Sequence, residues 1–280
     1  MSAVFDELLR LLDIETLDTN LFRGQSRDDG FRQLFGGQVI AQGLVAACRT
    51  VGGDRLPQSL HAYFLRPGDA SLPVIYEVER IRDGGSFTTR RVQAIQRSEP
   101  ILSMMVSFHV AEDGWDHQVS MPAVPAPEAL RSGADLHRQW LAGPRDSAPG
   151  LLGIQVIAEQ AGIEFRPALD SQSAAGLSPG AQQMWFRGTG VLPPAPLLHA
   201  CVLAYASDML LLDSALIPHR RTVFEKTLMA ASLDHALWIH RDFRIDDWLL
   251  IVKRTSSASG ASRRVGAYSA NRPPACSTVW

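Results

Sequence analysis

The chain has 280 residues, of which 46% are hydrophobic and 20% charged, enough apolar material for one large globular domain or two of ordinary size. The formal net charge is -2 and the Lys and Arg residues are scattered, which argues against nucleic acid or an anionic membrane as the partner. Cys48, Cys201 and Cys276 fit neither a disulfide framework nor a zinc site, so we expect no metal and a reducing, cytoplasmic location.

The first part of the chain predicts two helices followed by four strands. The N-terminal fifteen residues form an acidic amphipathic pattern without the basic region or cleavage site of a signal peptide. Gly36-Gly37 opens a second helical pattern, and Gly52-Gly53 closes it. Four strand-like runs bounded by turn residues then follow: Ser59–Leu65, Leu72–Ile81, Phe87–Gln96 and Ile101–Val110.

Residues 116–150 are rich in Pro, Ala, Ser and Gly and show no sustained period. We interpret them as a linker between an N-terminal domain at 1–115 and a C-terminal domain at 151–280. The C-terminal part predicts one long helix among five strands: Ile163–Leu169, Gln183–Gly188, Leu197–Leu216 (the helix), Leu233–Arg241, Trp248–Arg254 and Ser262–Ser269.

The second half repeats the first in its letters as well as in its order of elements. LHAYFLRP matches LDHALWIHRDF, and Arg90-Arg91-Val92 falls opposite Arg263-Arg264-Val265. A tandem repeat fixes the architecture. One long helix wrapped by a curved antiparallel sheet in each repeat is an α+β fold of the double-hotdog type.

Asp208 lies near the centre of Leu197–Leu216, the most apolar run in the sequence, which we predict to be one buried helix. A membrane span is disfavoured, because Asp208 and Asp213 would each cost about 2.5 to 3.5 kcal/mol in the bilayer interior. A carboxylate withdrawn from water is also costly in a protein unless something pairs with it. Asp208 is therefore either a general base that activates water or a residue at an exposed or capping point of the helix.

Other polar residues near Asp208 in the sequence have both a chemical and a structural interpretation. Ser232 precedes the next strand, where its hydroxyl could bind the same water as Asp208, although Ser is also common in turns. No GxSxG elbow surrounds it, which disfavours a serine nucleophile. His235 and His240, like His61, fit structural histidines better than metal ligands, and the sequence contains no HExxH.

Two further groups are candidates for substrate binding. Gly36 and Gly37 precede a helix, so that their N–H groups could bind an anion or an acyl oxygen; close packing at a helix start is the alternative. Arg90 and Arg91 lie on a predicted hairpin, where arginines that converge on one face could hold a phosphate-bearing ligand. Solvated hairpin charges explain the two arginines equally well.

Several motifs in order across nearly the whole chain resemble the bacterial acyl-CoA thioesterase II family: LFRGQS, FGGQV, HAYFLRPGD, RDGGSF, YASDM and LDHALWIHR. The resemblance implies a double hotdog that hydrolyses fatty acyl-CoA to a fatty acid and CoA without a cofactor, as a homodimer or homotetramer. It also implies a catalytic water held by an Asp on the second helix, a Thr or Ser after it and a Gln in the last strand. Asp208 and Ser232 match the first two.

The Gln is missing, because the chain reads ACSTVW and Trp280 stands at the expected position. Pro273-Pro274 would interrupt a central strand, so we expect an altered or truncated C-terminus without the final strand. The first hypothesis is acyl-CoA hydrolysis with Asp208 as base, and the alternative is a catalytically impaired acyl-CoA binder. Hydration of enoyl-CoA ranks last, since no His closely follows Asp208 in the sequence.

Overall fold

A computed structural model shows how these patterns are arranged. It describes residues 3–27, 33–142, 161–168, 182–209, 211–219, 228, 231–259, 262–270 and 276–279. All strand pairings in this part of the chain are antiparallel, and the strands join into one twelve-stranded sheet.

The described residues of the first half form two helices and six strands. In chain order they are α1 (Ala3–Leu12), β1 (Glu15–Asp18), β2 (Leu21–Gly24), α2 (Gly36–Cys48), β3 (Arg55–Phe64), β4 (Val74–Asp83), β5 (Phe87–Gln96) and β6 (Glu99–Val110). The strands alternate buried and exposed residues, as in β5, where Thr88, Arg90, Val92 and Ala94 face inward.

The second half begins after a connecting segment and repeats the same kinds of element. The segment carries a short 3-10 helix, Pro127–Ala129, and α3 (Gly133–Ala142). The following elements are β7 (Ile163–Pro167), β8 (Gln182–Gly188), α4 (Pro196–Ser207), α5 (Leu211–Leu216), a 3-10 helix at Ile217–His219, β9 (Asp234–Ile239), β10 (Leu249–Ser259), β11 (Ser262–Ala270) and β12 (Cys276–Val279).

Counted inward from the two edges of the sheet, corresponding strands of the two halves come in the same order, which confirms the tandem repeat. The order is β1-β2-β4-β5-β6-β3-β9-β12-β11-β10-β8-β7. Each strand of the first half thus has a counterpart at the mirrored place in the second. The halves meet where β3 pairs with β9, from Ser59 opposite Trp238 to Tyr63 opposite Asp234.

The two central helices, α2 and α4, pack against each other and share one continuous apolar core with strands of both halves. Because α2 is enclosed on nearly every side, ten of its residues are buried, including the polar Gln38 and Gln42. The Gln42 amide donates to the backbone oxygens of Leu11 and Gln25 and accepts a bond from the Tyr76 hydroxyl. The core runs through both halves and so does not mark a boundary between them. The domain bounds 1–115 and 151–280 therefore stay a prediction.

Helix α1 belongs to the first half in sequence and contacts α2, but it also packs against the second half. The Phe5 ring is fully buried and lies against Gly162, Gly188 and Gly190, where a Cβ atom would come within 2.8 Å of atoms of Phe5. Gly162 has a φ of +73°, which glycine tolerates best. The sequence predicted the helix but not its contact with the second half.

The segment predicted as a linker is partly a packed strap. Met121, Val124 and Leu130 lie on a small apolar cluster formed by Trp185, Leu250 and Val252 on the second half. The Trp185 indole N–H donates to the Pro125 carbonyl at 2.9 Å. Packed apolar groups of the segment therefore cover this part of the sheet, which a purely flexible connection would not do.

Two predictions about the second half are wrong. The run Leu197–Leu216 is not one helix, because α4 ends at Ser207 and a separate short helix, α5, follows. The final strand is not missing either: β12 pairs with β11 on one side and β9 on the other, the place that β6 takes in the first half. Pro273-Pro274 lies outside the described residues, just before β12.

Candidate active site

Asp208 is the residue that caps the C-terminal end of α4, with φ -84° and ψ -8°. Its side chain is only 7% exposed. The prediction of a mid-helix Asp is therefore wrong, although a capping position was one of the alternatives. A helix C-terminus is an unfavourable place for a negative charge, because the last carbonyl groups carry partial negative charge. Asp208 consequently depends on partners from other elements.

Two groups from different parts of the chain donate to the Asp208 carboxylate. The Ser232 hydroxyl, just before β9, lies 3.4 Å from Asp208 Oδ1. The Gly37 backbone N–H, in the first turn of α2, donates to the same carboxylate. The N-terminal end of one central helix thus faces the acid at the C-terminal end of the other, and its dipole partly offsets the unfavourable one.

Burial nevertheless dominates the ionisation of Asp208. Desolvation raises its pKa to about 7, against the smaller lowering effect of the bonds from Gly37 and Ser232. A carboxylate with a pKa near neutrality is a far stronger base than an exposed Asp and is still half ionised at pH 7. The pKa of Asp208 therefore suits proton transfer.

His235, on β9, is the neighbour of Asp208 that the sequence did not indicate. Its Nδ1 lies 3.9 Å from Asp208 Oδ1, and its Nε2 lies 3.0 Å from the hydroxyl of Ser207. Desolvation lowers the pKa of His235 to about 3, so the ring is neutral at physiological pH. The two residues are 27 positions apart in the chain, and the packing of β9 beside α4 brings them together.

Gly36 and Gly37 allow the two helices to approach closely. A Cβ atom on Gly36 would lie 2.7 Å from Asp208 Oδ2 and 2.8 Å from the Phe64 ring, so that both the carboxylate and the ring lie close to the Gly36 backbone. A Cβ on Gly37 would lie 2.5 Å from the Tyr205 carbonyl oxygen. Both glycines border the acid, but close packing explains them directly, and their role in binding substrate stays a prediction.

Comparison with known proteins identifies the family to which this geometry belongs. A family profile described as acyl-CoA thioesterase N-terminal domain matches residues 27–109, and one described as acyl-CoA thioesterase matches residues 159–268. Acyl-CoA thioesterase 2 of Haemophilus influenzae is 38% identical over 261 residues, which cover 93% of this chain and 90% of that protein. The chain belongs to the acyl-CoA thioesterase family.

Solved structures show the same fold. Acyl-CoA thioesterase II TesB2 of Mycobacterium marinum is 37% identical and superimposes with a TM-score of 0.79, covering 97% of this chain and 95% of that one. A protein from Alicyclobacillus acidocaldarius with a hot dog fold, 19% identical, gives a TM-score of 0.74 over 98% and 96% of the two chains. The predicted double hotdog is confirmed, and hydrolysis of acyl-CoA thioesters is the reaction class of the chain.

The two arginines suggested as phosphate ligands of this thioesterase do not converge on one face. Arg90 points inward, is 1% exposed, and donates to the Thr50 hydroxyl, the Thr50 carbonyl and the Asp83 carboxylate. Thr50 follows the C-terminal end of α2, about 20 Å along that helix from Gly36. Arg90 therefore lies at the opposite end of α2 from the glycines that border Asp208. Arg91, the next residue on the strand, points outward and pairs with Glu79. The contacts of Arg90 are structural, and it is not a solvated hairpin charge.

Trp280, at the place where the family resemblance expects Gln, lies outside the described residues. The last described position of β12 is Val279, which pairs with Ala236 of β9. In the described part of the chain no three His, Cys, Asp or Glu side chains form a group that could hold a metal. None of the helices among the described residues is long and apolar enough to cross a membrane.

Proposed function

We propose that this thioesterase hydrolyses fatty acyl-CoA to a free fatty acid and CoA, with Asp208 as the general base that activates a water molecule. The observation that carries the proposal is the buried Asp208 carboxylate, whose pKa is near 7 and which lies 3.4 Å from the Ser232 hydroxyl. The apolar side chains of Phe35 and Phe64, beside the glycines that face it, suit the chemistry of an acyl chain.

The proposed reaction proceeds by direct attack of water. Asp208 removes a proton as the water oxygen bonds to the thioester carbonyl carbon, and Ser232 orients that water. The tetrahedral intermediate then collapses, the C–S bond breaks, and the proton on Asp208 returns to the thiolate of CoA. Such general base catalysis contributes about 10² to 10⁴ in rate. No serine nucleophile or redox step takes part.

Replacement of Asp208 by Asn tests the proposal. We expect Asp208→Asn to release free thiol from palmitoyl-CoA at least about 100-fold more slowly than the wild type, because the amide cannot accept the proton. Ser232→Ala should lower kcat, and Ser232→Thr, which keeps the hydroxyl, should retain activity. Equal rates for the wild type and Asp208→Asn would eliminate Asp208 as the base.

A second candidate, an impaired enzyme that mainly binds acyl-CoA, is favoured by the sequence ACSTVW, which has Trp280 at the expected Gln position. Removal of one water-positioning or oxyanion contact lowers rates by about 10² to 10³. Under this alternative, Trp280→Gln raises kcat by at least about tenfold, and the wild type binds palmitoyl-CoA with negligible turnover. Wild-type turnover at the usual rates of enzymes, unchanged in Trp280→Gln, would eliminate it.

A further inference from the structure

The proposed reaction assigns no task to His235, although its imidazole is buried beside the reacting carboxylate. The residue is 1% exposed, and Nδ1 is 3.9 Å from Asp208 Oδ1. This separation is too long for a hydrogen bond, so His235 does not take a proton directly from Asp208 in this arrangement. Its hydrogen-bonded contact to Ser207 indicates a different role.

The Ser207 hydroxyl is held between two partners. It donates to the Ala204 carbonyl, one turn back in α4, at 2.9 Å. Its oxygen also lies 3.0 Å from His235 Nε2, within hydrogen-bond distance. The chain His235–Ser207–Ala204 ties β9 to the last turn of α4.

Ser207 and Asp208 are successive residues, and the segment from Ser232 to His235, at the start of β9, contacts both. Ser232 reaches the Asp208 carboxylate, and His235, three residues later, holds the preceding residue of the helix. Together with the Gly37 N–H, which also donates to the carboxylate, these contacts hold both the end of α4 and the Asp208 side chain.

We propose that His235 is a positioning residue for thioester hydrolysis: through Ser207 it fixes the end of α4, so that Asp208 stays within reach of Ser232 and the attacking water. The inference rests on the proposed function, because it concerns the geometry of the same base. A misplacement of about 1 Å at a reacting group can cost on the order of 10² in rate. Because this contact acts on the position of the base, its loss should affect kcat more than KM.

The test compares three variants by kcat and KM for palmitoyl-CoA. We expect His235→Ala and Ser207→Ala each to lower kcat by about 10- to 100-fold with little change in KM. His235→Gln should recover most of kcat, because its side-chain amide can form a hydrogen bond with the Ser207 hydroxyl in place of Nε2. The double variant His235→Ala with Ser207→Ala should be no slower than His235→Ala alone, since both remove one contact.

Two controls separate this role from a loss of folding and from a failure of the proposed function. His199 is also a buried histidine, near the other end of α4, with bonds to Ile245 and Pro193; His199→Ala should lower thermal stability but leave kcat nearly unchanged. Ser207→Ala removes a single oxygen and carries the test if His235→Ala fails to fold. Wild-type kcat in Ser207→Ala, or His235→Gln as slow as His235→Ala, would overturn the proposal. An active Asp208→Asn in the same assay would overturn the proposed function itself.

Discussion

Asp208 and Arg49 occupy equivalent positions in the two halves of the molecule. Each is the residue that caps the C-terminal end of a central helix, with backbone angles of -84° and -8° for Asp208 and -69° and -9° for Arg49. Asp208 is buried, whereas the Arg49 side chain pairs with Asp13 at 2.7 Å and donates to the Ile14 carbonyl. The duplicated fold thus carries its acid on the second helix, and the corresponding position on the first holds the segment after α1.

The first prediction follows from this difference between the two capping residues. Arg49→Ala should lower the free energy of unfolding by about 1 to 2 kcal/mol, because it leaves the Ile14 carbonyl without its charged donor, and should keep kcat close to the wild-type value. Asp208→Asn should instead lower kcat without lowering the free energy of unfolding. The measurements are denaturant unfolding and thiol release. A loss of kcat in Arg49→Ala comparable to that of Asp208→Asn would contradict the assignment of catalysis to one half.

A second prediction concerns the contact between the two helices at Gly36. Gly36→Ala places a Cβ 2.7 Å from Asp208 Oδ2 and 2.8 Å from the Phe64 ring, so the carboxylate must move. We expect kcat to fall by about 10- to 100-fold. Gly43→Ala is the matched control in the same helix, because its Cβ would meet the flexible end of Met104 at 3.0 Å. Similar kcat values for both variants would show that Gly36 does not constrain the acid.

The sequence predicted much of the fold because strand periodicity and the tandem repeat are local signals. The bounds of β5 were predicted correctly, and those of the neighbouring strands to within a few residues. The break at Asp208 was missed because apolar residues continue on both sides of it, and tertiary contacts decide where α4 ends. The short strands β1 and β2 were missed because neither has a sustained alternating pattern.

The site was only partly predictable for a related reason. Asp208 and Ser232 were found by composition and resemblance, but His235 was matched in letters to His61. In the structure His61 points outward and meets the Trp238 ring edge to face, whereas His235 points inward toward Asp208. A register shift of one residue exchanges the two faces of a strand. Letter similarity between the repeats cannot resolve such a shift, but the pairing of β3 with β9 does.

A third prediction concerns the pH dependence of the rate. Because the base must be ionised and the pKa of Asp208 is raised to about 7, kcat/KM should rise roughly tenfold per pH unit below pH 7 and level off above it. An Asp with its usual pKa of 3.8 would give a constant rate from about pH 5 upward. Thioester cleavage measured between pH 5 and 9 distinguishes the two. A flat profile over this range would contradict the assignment of the base.

A fourth prediction concerns stability, where Asp208 and His235 act in opposite directions. The folded pKa of Asp208 is raised from 3.8 to about 7, so its contribution is fully present below pH 3.8 and is lost as the pH rises through 7. The folded pKa of His235 is lowered from 6.5 to about 3, so its contribution is present above pH 6.5 and is lost as the pH falls through 3. Between about pH 4 and 6.5 the two slopes oppose each other.

Single substitutions should reveal each slope in the free energy of unfolding. Relative to the wild type, Asp208→Asn should gain up to about 1.4 kcal/mol per pH unit as the pH rises from 4 to 7. His235→Gln should gain a similar amount per unit as the pH falls from 6.5 to 3. Urea unfolding at a series of pH values measures both differences. Differences that do not vary with pH would mean that neither group is desolvated as the structure indicates.

The last prediction concerns the contact by which α1 joins the two halves. The Phe5 ring is fully buried against glycines of the second half, so Phe5→Ala should lower the free energy of unfolding by about 3 to 5 kcal/mol. Glu7→Ala, on the exposed side of the same helix, should change it by no more than about 0.5 kcal/mol. Gly190→Ala, whose Cβ would lie 2.5 Å from the Phe5 ring, should destabilise the wild type but have much less effect in the Phe5→Ala background, because the ring it meets is gone. Additive effects of these two substitutions in denaturant unfolding would show that α1 does not dock on the second half, and equal effects of Phe5→Ala and Glu7→Ala would show the same.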